Sequence, residues 1–484
     1  LIVMPAKAGV HFSDARAAET WIPAFAGMTR EGVGMPENNE AQDVLNLLQD
    51  LVAKAKKAGA NAADAVAFAG TSLSHTRRLG KTEKLERSES QDLGLRVLIG
   101  KQQAIVSSSD RASATLEELV ERAVAMARAI PEDPFCGLAD PDQIAKNWPA
   151  LDMLDPAEPT AEILIERARA AEETALATPG ITNSEGADAG WGRSRVALVA
   201  SNGFAGTYAG SSHGVSASVI AGSGTAMERD YDFASAVYAT DLRSGETIGR
   251  EAAERALKRL GAKKMPTGKV PVIFDPRVAR SFISHMLGGI SGPSIARGTS
   301  FLKDKLGQRI FPAAITITEN PHKQRGLRSR PFDGEGIANQ RRALIDKGVL
   351  TTWLLDLRSA RQLKMASTGH AARGTASPPA PAATNVWIEP GVVTPAELYA
   401  DVKSGFYVTE LMGMGVNGVT GDYSRGASGF WIENGEIAFP VSEMTVAGNL
   451  KDMFLRLVAA NDLEFRTGAD SPTLRIDDLT VAGA

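Results

Sequence analysis

Residues 410–453, ELMGMGVNGVTGDYSRGASGFWIENGEIAFPVSEMTVAGNLKDM, constrain the fold of this chain more than any other stretch. Gly413, Gly415, Gly418, Gly421, Gly426, Gly429, Gly435 and Gly448 punctuate it, with Asp422, Tyr423, Arg425, Trp431, Glu433, Glu436 and Glu443 in short runs between them. Phe430-Trp431-Ile432 and Ile437-Ala438-Phe439 flank Asn434-Gly435, and an Asn-Gly pair supplies the positive φ angles of a tight hairpin turn. Glycines on both sides of Asp422 and Arg425 predict a backbone that turns sharply around a few polar side chains. The stretch reads as a β-rich core with tight turns.

The rest of the chain divides around it. Val44, Leu47, Leu48, Leu51, Val52 and Ala55 form one apolar helical stripe, which Gly59 is placed to stop. Apolar runs at 65–69 and 93–106 read as an antiparallel meander. The charged passage RRLGKTEKLERSES between them reads as a solvated strand pair or a mobile loop. Its mixed signs, with no interleaved aromatic, give no nucleic-acid patch. Thr115 and Glu118 suggest a capping box opening a second helix, with the stripe Leu116, Leu119, Val120, Ala123, Val124 and Ala127, ended by Pro131. Helices over 160–177 and 246–260 and strands at 195–200, 215–220 and 234–238 complete an N-terminal α+β domain, residues 35–262. A linker over 261–268 leads to a strand at 270–274, a helix at 277–287, and then short runs and glycine turns. This second part, 268–484, reads as a β-rich, barrel-like C-terminal domain. The small-residue, proline-rich segment 371–383 reads as a flexible loop.

A net charge of -4 and a pI near 6.0 give no electrostatic case for nucleic acid. No apolar run approaches the ~20 residues that span a bilayer. Cys136 is the only cysteine, which excludes a disulfide framework and a thiolate cluster and makes the cytoplasm the default compartment. Residues 1–34 begin with Leu1, lack the plan of a signal peptide and resemble translated palindromic-repeat sequence. They are expected to be a dispensable, disordered extension, with Met35 as the start.

GDYSRGASGFWIENGEIAFPVSEMTVAGNLKDM resembles the C-terminal signature of the TldD/PmbA family of metallopeptidase-related proteins, in its PmbA (TldE) branch. Residues 271–312 (PVIFDPRVARSFISHMLGGISGPSIARGTSFLKDKLGQRIFP), 330–356 (RPFDGEGIANQRRALIDKGVLTTWLLD) and 367–374 (STGHAARG) agree in order, and the resemblance runs from about residue 40 to the end. It implies a heterodimer with a TldD-type subunit that cleaves unfolded or extended peptides at a zinc site. Antitoxin degradation and peptide maturation are the roles that the family suggests.

The TldD branch carries H-E-x-x-x-H at the end of a helix, two histidines able to approach one metal with a glutamate as base. Here the matching residues are Ser284, His285 and Gly289, so no catalytic or metal-ligating residue is expected in this chain and zinc is expected in the partner. His285, Asp422, Arg425 and Glu443 are the candidate substrate-binding residues, lining or bracing the shared cavity. Glycine-rich edges suit an extended peptide added as a strand. Folding could still gather His285, His322 and His370 with Glu443 or Asp422 around a metal. Ser424 lacks the first glycine of a nucleophile elbow, Cys136 has no basic partner nearby, and Gly413, Gly415 and Gly418 open no helix as a dinucleotide fingerprint does. The alternatives are an independent homodimeric peptidase and a non-enzymatic modulator binding a partner such as a topoisomerase.

Overall fold

The computed structural model describes residues 37–483; the expected extension over 1–34 lies outside them. The fold is mixed α and β. After helix α1 (Glu37–Lys57) come the strands β1 (Ala62–Arg78), β2 (Lys81–Ile99) and β3 (Gln102–Ser108) and helix α2 (Ser113–Ala129). Helix α3 (Ala161–Leu176) precedes β4 (Ile181–Ala200), β5 (Ala205–Ala221) and β6 (Glu228–Ala236), and helix α4 (Gly245–Lys258) follows them. The six strands form one antiparallel sheet in the order β3-β2-β1-β4-β5-β6.

One face of this sheet is apolar and covered by helices. Leu73, Trp191 and Val215 pack with Leu164 and Ala168 of α3 and Ile248 and Ala252 of α4. Leu48 and Leu51 of α1 and Leu119 and Val120 of α2 cover Leu93 and Leu95. The expected α2 stripe, Leu116 to Ala127, is buried throughout. Its capping box does not form. The helix begins at Ser113 without a side-chain cap, and Thr115 Oγ1 donates instead to Asp110 Oδ2 at 2.7 Å.

The charged passage is a strand pair, the β1–β2 hairpin, turned by Leu79 and Gly80 at φ 48° and 78°. β4 and β5 are far longer than the apolar runs suggested. On their other face stand Gly190, Gly192 and Ser194 against Gly214, Ser212 and Gly210, residues that read as turns in sequence but lie in a continuous ladder. Antiparallel sheets sustain this because only one face must be apolar.

From residue 268 the strands are β7 (Gly268–Phe274), β8 (Ile317–Asn320), β9 (Arg342–Asp346), β10 (Val349–Leu350), β11 (Ala371–Ala372), β12 (Ala380–Pro381) and β13 (Asn385–Ile388). They continue with β14 (Ser404–Met412), β15 (Asp422–Glu433), β16 (Glu436–Asn449), β17 (Val458–Ala459), β18 (Ala469–Asp470) and β19 (Leu474–Ala482). The second large sheet runs β16-β15-β14-β7-β19-β17, and pairing of β16 with β19 closes its first five strands into a barrel. The Asn434-Gly435 turn joins β15 to β16 at φ 52° and 80°, as the sequence predicts. Phe406, Val408, Trp431, Val446 and Val481 belong to the core that this barrel shares with helix α5 (Pro276–Gly289). A smaller sheet, β10-β9-β8-β13-β18, lies beside it. Among the described residues no helix is long and apolar enough to cross a membrane.

The segment 371–383 is not a free loop. β11 pairs with β12, and Arg373, nearly fully buried, reaches Asp64 on β1, which also holds Arg96 of β2. Gly94 is needed here, since a Cβ would stand 2.0 Å from the Thr375 carbonyl oxygen. Small residues and prolines hid an anchor made by one arginine.

Candidate functional site

Helix α5 starts on an Asp275 cap, whose Oδ1 accepts the Arg277 amide at 3.0 Å, with proline at the first turn. Its apolar face, Val278, Ala279, Phe282, Ile283 and Met286, is buried, which leaves Ser284 exposed and His285 half-buried near the helix end. β15 alternates, so Tyr423 and Arg425 turn inward while Asp422 and Ser424 face out. The Phe282 and Tyr423 rings stack at 5.9 Å, and the His285 ring stands edge-on to Tyr423 at 5.9 Å.

This packing sets the electrostatics. His285 Nε2 is buried and has no hydrogen-bond partner among the described residues. Burial first, and the charge of Arg425 second, pull its pKa down to about 4, so the ring is neutral at physiological pH. The Tyr423 hydroxyl, buried and without a well-formed hydrogen bond, lies beside the same guanidinium. Arg425 Nε donates to the Gly413 carbonyl at 3.0 Å and Nη2 to that of Leu411 at 3.3 Å. It thereby fixes the root of the loop 413–421, which is also held by the Ser424 amide on Gly415 O (2.7 Å) and the Phe301 amide on Gly418 O (3.0 Å). Gly415 tolerates no side chain, since a Cβ would sit 1.9 Å from Ser424 O. The end of β14 and the loop present Met412, Met414 and Val419 to solvent, Met414 at 87% exposure.

Two of the four predicted site residues, His285 and Arg425, are therefore brought together. Asp422 is not with them. It faces outward, accepting Thr420 Oγ1 at 2.6 Å and Asn449 Nδ2 at 2.9 Å, bonds that lower its pKa. Glu443 sits on a bulge of β16 at φ 54°, exposed and paired with Lys264 at 2.5 Å. A strand cannot be added along β15, which lies between β14 and β16, and β16 is taken by β19 at Thr445–Ala447.

Zinc does not fit the three motif positions. Ser284 is exposed, His285 offers its nitrogen to an aromatic and cationic pocket, and a Cβ on Gly289 would lie 2.9 Å from Leu302 Cδ1. Nor, among the described residues, does folding gather His322 and His370 with His285 around a metal. His322 Nε2 meets Asn339 at 2.7 Å, while His370 bridges Thr368 at 2.7 Å and Glu319 at 2.5 Å. Among the described residues no three His, Cys, Asp or Glu side chains are arranged to hold a metal. Cys136 is buried, and burial together with Asp133 raises its pKa, which opposes thiolate formation.

Sequence reasoning missed the acids of RPFDGEG. Asp333 and Glu335 are both buried, Glu335 near Arg96 and Arg373, and burial pushes them up to about 6 and about 8. Glu335 Oε2 accepts the Leu357 amide at 2.8 Å. The signal that could have found them is a pair of acids inside a turn that continues into buried strands.

Three family profiles match the chain in order: PmbA/TldA metallopeptidase domain 1 over residues 63–127, the central domain over 154–260 and the C-terminal domain over 267–483. The Metalloprotease PmbA of Escherichia coli O157:H7 is 39% identical over 416 residues, 85% of this chain and 90% of that protein. A crystal structure described as a putative modulator of DNA gyrase from Bacteroides thetaiotaomicron superposes with a TM-score of 0.85 at 30% identity, covering 93% of this chain and all of that one. TldE from Thermococcus kodakarensis shares the fold with a TM-score of 0.81 at 19% identity, covering 90% of this chain and all of that one. With its barrel, its α5 helix and its signature hairpin all matched, the chain belongs to the PmbA/TldD family of metallopeptidase-related proteins.

Proposed function

We propose that this chain is the non-catalytic subunit of a cytoplasmic TldD/TldE-type heterodimeric zinc metallopeptidase that cleaves unfolded or extended peptides. The observation that carries the reading is the end of α5, where Ser284, His285 and Gly289 make no zinc donor set. The catalytic zinc then belongs to the TldD-type partner. This chain contributes a preformed wall to the shared cavity. Arg425 holds the loop 413–421 in place, and Met412, Met414 and Val419 give that loop an apolar lip for the partner or the peptide. Neutral His285 lies beneath, able to exchange a hydrogen bond without adding charge. Asp422 and Glu443 brace the loop and the bulge beside it.

The test is affinity capture of the tagged chain from its source cell, followed by native mass and zinc content. A complex with a second chain of similar size, with zinc retained by that second chain, supports the proposal. A homodimer carrying stoichiometric zinc and cleaving peptide refutes it and favours an independent peptidase, the reading that the relative's name, Metalloprotease PmbA, supports. The gyrase-modulator description of the Bacteroides structure supports a third role. Capture of a topoisomerase in cells without any TldD-type chain favours that one.

A further inference from the structure

A second cluster lies away from the α5 terminus, where residues 323–330 meet residues 464–470. Asn385 clamps the first segment, accepting the Arg328 amide at 3.0 Å and donating to Ser329 Oγ at 2.9 Å. Ser329 in turn donates to the Lys323 carbonyl at 2.6 Å. These bonds fix where Lys323 and Arg328 emerge. The Lys323 ammonium stands 3.2 Å from the centre of the Phe465 ring, which is 53% exposed and edge-on to Trp387. The Arg328 stem lies across Gly468, where a Cβ would come within 2.8 Å of Arg328 Cγ, so a glycine makes room for this arginine. Arg280 approaches from α5, which packs on β18, with its guanidinium 5.9 Å from the centre of the Phe233 ring.

Among the described residues the carboxylates of these two segments are Glu464, exposed and 3.9 Å from Arg466, and Asp470. Arg280 and Arg330 stand near enough to Arg328 to lower its pKa, after burial, and burial lowers that of Lys323. Asp470 is the one carboxylate acting on either, and it is already engaged. Its Oδ1 accepts the Arg466 and Thr467 amides and Thr467 Oγ1, and its Oδ2 accepts the Gly468 amide. Among the described residues neither the Lys323 ammonium nor the Arg328 guanidinium has an ion pair or a hydrogen bond. Like charges held together and partly desolvated are unfavourable until an oxyanion joins them.

We propose that Lys323 and Arg328, with Arg280 behind them, bind the carboxylate of an extended peptide, with the Phe465 ring under the neighbouring apolar residue. The carboxylate is the chain terminus or an acidic side chain. This inference rests on the proposed role in peptide handling.

The test is isothermal titration of the full chain with three peptides of one apolar sequence: a free C-terminal acid, its amide, and the amide carrying one glutamate. The acid is expected to bind at least about tenfold tighter than the amide. Arg328→Met removes that difference and leaves amide binding unchanged, while Arg325→Met, whose arginine already pairs with Asp152 and Asp241, does not. Tight binding of the glutamate-bearing amide assigns the site to side chains, and its failure assigns it to the terminus. Equal binding of acid and amide overturns the proposal, as does an Arg328→Met variant that retains the difference. Lys323→Met carries the test if Arg328→Met does not fold. If no peptide binds, thermal stabilisation by acetate that Arg328→Met abolishes keeps the carboxylate site and removes the peptide reading. Absence of that stabilisation overturns the site as well.

Discussion

Glu335→Gln tests the acid cluster where 333–373 meets the first sheet, and its size follows from the groups around it. Glu335 faces Asp333, Asp356 and Arg96, with Arg373 close by. Both arginines are committed to Asp64. Burial, then the charge of Asp333, raises the Glu335 pKa to about 8, while Arg96 acts in the opposite direction. An acid raised on folding holds a proton that the unfolded chain releases. Its stability contribution is complete below about pH 4.5 and is lost as pH rises through about 8. Moving from 4.5 to about 8 at about 1.4 kcal/mol per pH unit sets a ceiling of about 5 kcal/mol. The window from pH 6 to pH 9 covers about two of these units, so the expected loss across it is roughly 2–3 kcal/mol.

Glutamine keeps the shape of the protonated acid and can still accept the Leu357 amide, yet it does not ionise. Urea unfolding of both proteins at pH 6 and pH 9 is the assay, with the midpoint and slope fitted separately. At pH 6 the parent has already lost the part between 4.5 and 6, so the variant is expected to be more stable there by up to about 2 kcal/mol, and at pH 9 by a further roughly 2–3 kcal/mol. A variant that loses as much stability as the parent between the two pH values refutes the assignment of this titration to Glu335.

Arg373→Met leaves Asp64 with Arg96 alone and removes the anchor of residues 371–383, so a loss of about 3 kcal/mol is expected in urea unfolding, with faster proteolysis inside that segment. Gly289→His is expected to destabilise by about 1–3 kcal/mol through overpacking against Leu302 and Phe301, and not to bind zinc in an equilibrium dialysis. Arg425→Met removes one of the two causes that lower the His285 pKa, so an NMR titration of the ring is expected to show it rising from about 4 towards its ordinary range. An unchanged titration would mean that burial alone holds His285 neutral.

Legibility tracked how many neighbours a residue's role depends on. The α2 stripe and the Asn434-Gly435 turn are local, fixed by periodicity and by φ preference, and both stand where the sequence placed them. The lengths of β4 and β5 were not legible. Gly190 and Gly192 interrupt any apolar alternation, and their continuity comes from pairing with residues 72–74 of β1 and 212–214 of β5. The candidate site divides in the same way. His285 and Arg425 meet because α5 and β15 pack against one core, whereas Asp422 lies one residue from Tyr423 and so faces the opposite side of the strand. Glu443 escapes even that alternation, since its bulge adds a residue to β16 and turns the side chain towards Lys264. Charge clusters are the least legible of all. Lys323, Arg328 and Arg280 come from two separate segments, and Asp470, which could have neutralised them, is withdrawn by hydrogen bonds to its own loop. Unpaired charge of this kind becomes visible only when every competing partner has been assigned, and that is why a site for a carboxylate can lie outside every motif that the chain carries.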